Sequence, residues 1–329
     1  MSLPETYKVL QPALIPGEKP FFEDTPLAKP AENQVIVKVE FVPLSPTEIT
    51  ALQGFYRVPN KPADPCGSEG SGIVVAVGTN LKNPLKVGDK VFITGPGTFS
   101  QYITASSEKV QVIPEGLSLE EAAPHFVNPS TVYYMGILAE GHKAAIHTVG
   151  SSAVGRMLIR YFKHLGIKLI NIVRKDQYIE ELKAEGADYV LNSEAPDFEE
   201  KLKEVAEKEN ATIAFDAISG EFTNKVLKAL PPKSTVYVYG ALTGYSINKI
   251  DIMELFKGKL VKGFLIYNQL AELAQKEGEL QKFFGGVHSL LKTVFYTKVQ
   301  KTFSIADLDE AIAFYQANSS NGKVLIRPN

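Results

Sequence analysis

The run KAAIHTVGSSAVGRMLIRYFKHLG, residues 143–166, limits the possible folds of this chain more than any other. A short apolar stretch of strand character passes through a turn of small residues directly into an amphipathic helical pattern that ends in glycine. The same rhythm continues as KLINIV, DQYIEELKAEG, DYVLN, DFEEKLKEVAEKEN, TIAFDAI, GEFTNKVLKAL, STVYVYG, IDIMELFKG and LVKGFLI. Short β-branched runs alternating with helices imply βαβ units and a parallel sheet. About six strands, the number of a doubly wound sheet, can be counted.

The turn at the first of these junctions has the spacing Gly150, Ser152, Gly155. The free N–H groups at the start of a helix can bind a pyrophosphate, so Gly150, Ser151, Ser152, Ala153 and Val154 are candidate phosphate contacts. Gly150 suits the tight turn and Gly155 close helix–strand packing, while Ser152 stands where the closest backbone approach usually asks for glycine. A tight turn with no ligand is the competing interpretation. The next strand ends in Arg174-Lys175, about 20 residues on, where a site preferring NAD would hold an acid. Two cations suit the 2′-phosphate of NADP(H), with Arg174 the better bidentate partner. Asp176 either holds a ribose hydroxyl or caps the following helix.

Residues 1 to about 110 read differently, as short strands separated by Gly and Pro turns, which implies a compact barrel-like domain. After the βαβ region come LQKFFGGVHSLLKTV, KVQKTFSI, DLDEAIAFYQANSS and KVLIR. The last apolar run has no helix after it and is expected to return to the first domain. A length of 329 residues favours two domains. The formal charge of −2 and the scattering of Lys and Arg argue against nucleic acid or an anionic membrane as partner. One cysteine forms no intrachain disulfide and suits a reducing compartment. The N-terminal run MSLPETYKVLQPALIPGEKP lacks the pattern of a signal or transit peptide. With no apolar run near the roughly 20 residues of a membrane span, a cytoplasmic protein is expected.

Several stretches carry a resemblance: PLSPTEITALQGFY, GSEGSGIVVAVG, VGDKV, VNPSTVYYM, SSAVG and the terminal GKVLI. Over nearly its whole length the chain resembles the medium-chain dehydrogenase/reductase superfamily, within it the zinc-free quinone oxidoreductase and 2-enoyl thioester reductase branch. QGFY, VNPSTVYYM, SAVG and VRKD are most similar to the enoyl thioester reductases. The resemblance implies an α/β architecture in which a Rossmann-type doubly wound domain, 123–267, is inserted into a GroES-like β-barrel domain, 1–122 and 268–329. It also implies a homodimer formed through the edge of the nucleotide-domain sheet.

Zinc-dependent members use a Cys, the His of a Gly-His-Glu triplet and a later Cys as catalytic ligands. Here Ser45 is near the first position and Gly67-Ser68-Glu69 replaces the triplet, so no metal is expected. Cys66 is then a small, partly buried packing residue and Glu69 a structural carboxylate in the turn. Tyr56, the tyrosine of the QG-x-Y turn, is the implied catalytic group, because a protonated phenol can donate to a developing enolate or orient a thioester carbonyl. The resemblance further puts Ser45, Asn128 and Thr131 near the nicotinamide and its ribose. Tyr239, Gly240 and Ala241, with Phe264, Leu265 and Ile266, would frame the cofactor, although the last three equally suit core or dimer packing. Lys323 is implied as a cofactor or substrate contact. His147 reads as a structural histidine, and Asp216 either lines the crevice or caps a helix. The chain has no tryptophan, whereas the related fatty-acid-synthesis reductases use an indole in the acyl pocket.

Three functions follow in order: an NADPH-dependent reductase of carbonyl-conjugated double bonds such as 2-enoyl thioesters, an NADPH:quinone oxidoreductase, and a non-catalytic NADPH-binding protein.

Overall fold

The computed structural model describes residues 3–55 and 64–329. Two compact units divide the chain: residues 1–127 with 297–329, and residues 128–296.

In the first unit the central strand Gln34–Pro43 pairs antiparallel with Glu69–Val77 and with Tyr102–Ser106. Val35, Val37 and Val39 alternate along it and are fully buried, the two-residue period of a strand with one face on a core. Lys90–Thr94 and then Val110–Val112 extend the sheet on one side. On the other side the terminal strand Lys323–Arg327 pairs with Pro43 and Val42, so the chain end does return to the first unit. Val324 and Ile326 enter the same core as Val35 and Val74.

The second unit is a parallel six-stranded sheet. Its strands are β1 Ala144–His147, β2 Lys168–Val173, β3 Tyr189–Asn192, β4 Ala211–Asp216, β5 Thr235–Val238 and β6 Leu260–Gly263. They lie in the order β3-β2-β1-β4-β5-β6, the doubly wound arrangement in which the crossover direction reverses beside β1. Ile146, Ile170, Ile172, Ala214 and Val236 are buried where helices cover the sheet, which is why these strands read as continuous apolar runs.

The domain boundary differs from expectation. Residues 268–296 belong to the second unit, and 123–127 to the first. Aromatic packing is the cause: Phe283 and Phe295 stack edge-to-face on Tyr133 at 5.1 and 6.4 Å, and Phe295 meets Tyr161 at 5.1 Å. Arg160 completes the attachment, donating from Nε to Val294 O at 2.8 Å and from Nη2 to Tyr296 O at 2.7 Å. The helices Ile266–Ala274 and Glu279–Ser289 have an apolar face that either unit could bury. Only the aromatic partners on the helix Val127–Leu138 decide between them.

Candidate active site

The glycine turn leaves the carboxyl end of β1 and enters the 13-residue helix Ala153–Leu165. Gly150 N donates to Ile172 O at 2.9 Å, drawing the turn against β2. A Cβ at Gly150 would lie 2.8 Å from Asn171 Cβ, and one at Gly155 would lie 2.3 Å from Gly150 O. Neither position has room for a side chain. Ser152, in place of the middle glycine, is the N-cap: its Oγ accepts from Gly155 N at 3.1 Å. Ser151, Ser152, Ala153 and Val154 are half-buried around the positive end of the helix dipole. The helix closes at Gly166, φ 71°, with Lys163 and His164 in its last turn, the sign its negative end favours.

Arg174 and Lys175 are exposed just beyond the end of β2, and among the described residues no ion pair engages either. Asp176 stands at the N-cap position of the helix Gln177–Ala184 without making a side-chain cap bond; it accepts from Asn192 Nδ2 at 2.8 Å instead. The cradle that a Cβ would fill, the helix start and two uncommitted cations together fit an anionic dinucleotide bearing a 2′-phosphate.

The carboxyl ends of β4 and β5 hold the remaining candidates of this unit. Gly240 passes so close to β4 that a Cβ would lie 2.8 Å from Ala217 O. Ala241 is half-buried beside it. Tyr239, just past β5, shares a 2.7 Å hydrogen bond between its hydroxyl and Nε2 of the fully buried His147. Burial drives His147 down to about 3, so the ring is neutral, and pushes the Tyr239 phenol above its ordinary value, so it stays protonated. His147 is thus a buried, hydrogen-bonded structural histidine, as its place at a strand end led one to expect; its partner, 92 residues away, was not legible in the sequence.

Asp216 is fully buried and neither lines an open crevice nor caps the helix Glu221–Ala229 in the ordinary way. Its Oδ1 accepts from Thr148 Oγ1 at 3.0 Å and Ile218 N at 2.8 Å. Its Oδ2 accepts from Ser219 N at 3.3 Å and Thr223 Oγ1 at 2.6 Å. Phe264 and Ile266 are buried while Leu265 is 53% exposed; Phe264 packs against Tyr134 at 5.8 Å. The side chains of this trio thus divide, two inward and one outward. Asn128 and Thr131 lie three apart on the helix Val127–Leu138, on one face, with Thr131 buried.

In the first unit Ser45 N-caps the helix Pro46–Leu52, its Oγ accepting from Glu48 N at 3.2 Å. Glu48 is a residue that sequence reasoning missed. It is buried and accepts a hydrogen bond from the Ser68 hydroxyl, and burial pushes its carboxyl up to about 7. Glu69 Oε2 accepts from the N–H groups of Phe126 and Val127 at 2.9 and 3.0 Å, a structural carboxylate. Lys323 is buried and lies in the field of Glu69 and Glu48; burial lowers its ammonium pKa. Cys66 is buried and its thiol is pushed up to about 12, first by burial and then by Glu48.

These donors do not fit catalytic zinc, which needs three ligands that bind deprotonated or neutral and an open position. There is one cysteine, hydroxyls stand at positions 45 and 68, and the Glu69 carboxylate is committed to two backbone N–H groups. Tyr56, the implied catalytic tyrosine, lies outside the described residues.

Residues 31–115 match the model of the alcohol dehydrogenase GroES-like domain, and residues 153–282 that of the zinc-binding dehydrogenase family. The chain is 31% identical to the mitochondrial enoyl-acyl-carrier-protein reductase of Rattus norvegicus over 70% of its own length and 64% of the relative's. To the Caenorhabditis elegans protein of the same name it is also 31% identical, over 72% and 70%. Quinone oxidoreductase 1 of Escherichia coli is 26% identical over 93% of this chain and 94% of that one. Among solved structures, a candidate NADPH:quinone reductase from Mesorhizobium loti superposes with a TM-score of 0.85 and 26% identity, covering 100% of both chains. The chain thus spans about two-thirds of the enoyl reductases it matches and nearly all of the quinone oxidoreductases. With both characteristic domains matched and the doubly wound sheet in place, the chain belongs to the medium-chain dehydrogenase/reductase superfamily, in the branch of the enoyl reductases and quinone oxidoreductases.

Proposed function

We propose that this protein is an NADPH-dependent, metal-independent reductase of carbonyl-conjugated double bonds, with 2-enoyl thioesters as its substrate class. One observation carries the reading: a glycine turn at a helix start beside two uncommitted cations, in a chain whose donor set cannot hold catalytic zinc. The enoyl reductases among the relatives agree with it in name.

Gly150 to Val154 would bind the pyrophosphate, and Arg174 with Lys175 the 2′-phosphate. Tyr239 to Ala241, Phe264 to Ile266, Asn128 and Thr131 would border the rest of the cofactor, and Ser45 and Lys323 are proposed as further contacts. When bound, the nicotinamide supplies a hydride. Without a metal to polarise an isolated carbonyl, a conjugated alkene is the better acceptor, because the negative charge moves to an oxygen that hydrogen bonds can stabilise. Tyr56 is the proposed donor to that oxygen.

Turnover of crotonyl-CoA with NADPH, followed by nicotinamide absorbance, tests the proposal; no consumption above a Tyr56→Phe control across several enones would overturn it. Arg174→Ser is expected to weaken NADPH roughly tenfold while leaving NADH within about twofold, the loss of one bidentate phosphate contact. Equal weakening of both cofactors in binding titrations would count against the assignment.

Quinone reduction is the second reading, favoured by the nearly full-length match to the E. coli quinone oxidoreductase. A fast quinone rate insensitive to Tyr56→Phe would select it. We also propose a homodimer through the β6 edge in a reducing, cytoplasmic setting. Leu260, Phe256 and Leu265 are 48, 75 and 53% exposed beside a strand edge that is unpaired among the described residues, an apolar face that a second sheet edge would cover. Light scattering at a monomer mass would exclude the dimer.

A further inference from the structure

Glu48 is the third residue of the helix Pro46–Leu52, where a carboxylate ordinarily meets water and the helix dipole. Here it is only 5% exposed. Its Oε1 accepts the hydroxyl of Ser68, and Ser68, unlike Glu48, is only half-buried, so the serine is the member of the pair nearer the surface.

The groups facing Glu48 are Glu69, Lys323 and the Cys66 thiol. Lys323 is 4% exposed, and among the described residues it has no carboxylate within ion-pairing distance, so it balances the two acids only through its field. One ammonium offsets one carboxylate. Burial raises the carboxyl of Glu69 as well, but Lys323 and two backbone N–H donors oppose it, so Glu69 is the better placed of the two to keep its charge. Glu48, whose donors both belong to Ser68 and which also faces the charge of Glu69, is left to hold a proton, in line with its raised pKa of about 7.

A hydroxyl has one proton to give and two lone pairs to receive. While Glu48 is ionised, Ser68 donates inward to it. Once Glu48 is protonated, the carboxyl donates to Ser68 Oγ and the serine proton turns outward. A proton on the buried acid can thus reach the surface in two hops, with neither backbone moving.

We propose that Glu48 stores the proton that completes the reduction and that Ser68 is its outlet. The inference rests on the reductase reading above and holds for an enone or a quinone, since each takes up a proton with the hydride. For the enone, hydride adds at Cβ and the π pair moves toward oxygen. The new Cα–H bond then takes a proton that leaves the Ser68 O–H through water. Ser68 Oγ takes the carboxyl proton of Glu48 as that O–H bond breaks, and solvent later reprotonates Glu48.

The test is the pH profile of kcat at saturating NADPH and crotonyl-CoA, or a quinone, for the wild type, Glu48→Gln, Ser68→Ala and Ser68→Thr. Carbon-13 spectra of glutamate-labelled protein would follow the buried carboxyl directly. Wild-type kcat should fall as pH rises through about 7, because the store empties, with a carboxyl resonance titrating over the same range. Glu48→Gln should lose that limb and run roughly tenfold slower at about pH 6. Ser68→Ala should slow similarly while keeping the carboxyl titration, and Ser68→Thr should restore the rate. All variants should bind NADPH as the wild type does. An unchanged pH limb in Glu48→Gln, or a wild-type rate in Ser68→Ala, overturns the proposal while leaving the reductase reading intact. Absence of turnover by the wild type on every enone and quinone overturns both.

Discussion

Replacing Asp216 by alanine is expected to destabilise the protein by about 3–5 kcal/mol, a large share of the roughly 5–15 kcal/mol that holds a domain together. The carboxylate is fully buried and gathers four donors from three places: Thr148 after β1, the backbone of Ile218 and Ser219 after β4, and Thr223 on the next helix. Thr148 in turn accepts from Ala217 N at 2.9 Å, so one acid knits β1 to β4 at their carboxyl ends. Ser219 is held there at φ 71°, a left-handed conformation that costs a non-glycine residue energy and needs such support. Alanine leaves two backbone N–H groups and two hydroxyls without this acceptor in a site closed to water. Asparagine keeps one acceptor oxygen and is expected to cost less, about 1–2 kcal/mol. Urea unfolding of the two variants measures this directly; an alanine variant within about 1 kcal/mol of the wild type would remove Asp216 as a fold determinant.

Gly155→Ala is expected to abolish measurable NADPH binding, weakening it by about a hundredfold or more, while costing roughly 1–3 kcal/mol of stability. The added methyl would lie 2.3 Å from Gly150 O and 2.6 Å from Val149 O, both backbone atoms of the phosphate turn. No rotamer relieves a contact with main chain, so the turn itself must move and its N–H groups lose their convergence on a pyrophosphate. Gly285→Ala is the control. That glycine lies in the exposed part of the helix Glu279–Ser289 with nothing within 4 Å of its would-be Cβ. Alanine there should leave NADPH binding unchanged and add about 0.5–1 kcal/mol of stability. Fluorescence titration and thermal melts separate the two outcomes, and wild-type NADPH affinity in Gly155→Ala would count against the phosphate turn as the cofactor site.

What could be read from the sequence was local in origin. The glycine turn, the helix that follows it and the cations after β2 are properties of adjacent residues, set by φ/ψ limits, helix capping and the period of apolar side chains. The strand order follows once those units are recognised, because right-handed crossovers leave few ways to arrange them. Asp176 shows the limit: its position at the helix start was legible, but its bond goes to Asn192 on another strand.

The structure alone decided matters that depend on residues far apart in the chain. Nothing near Glu48 in PTEITAL says that this carboxylate turns inward to meet Ser68 and the field of Lys323. His147 and Tyr239 are 92 residues apart, and Asp216 and Thr148 are 68 apart. Residues 268–296 have an apolar face by sequence, but the rings of Tyr133 and Tyr161 assign it to the second unit. The sequence by itself therefore determined the doubly wound sheet, the glycine cradle and the lack of zinc ligands, because each is a matter of residue type and near-neighbour spacing. Which buried acids are paired and which unit claims a helix were decided only by tertiary structure. Burial and long-range hydrogen bonding come into being when distant strands close on one another.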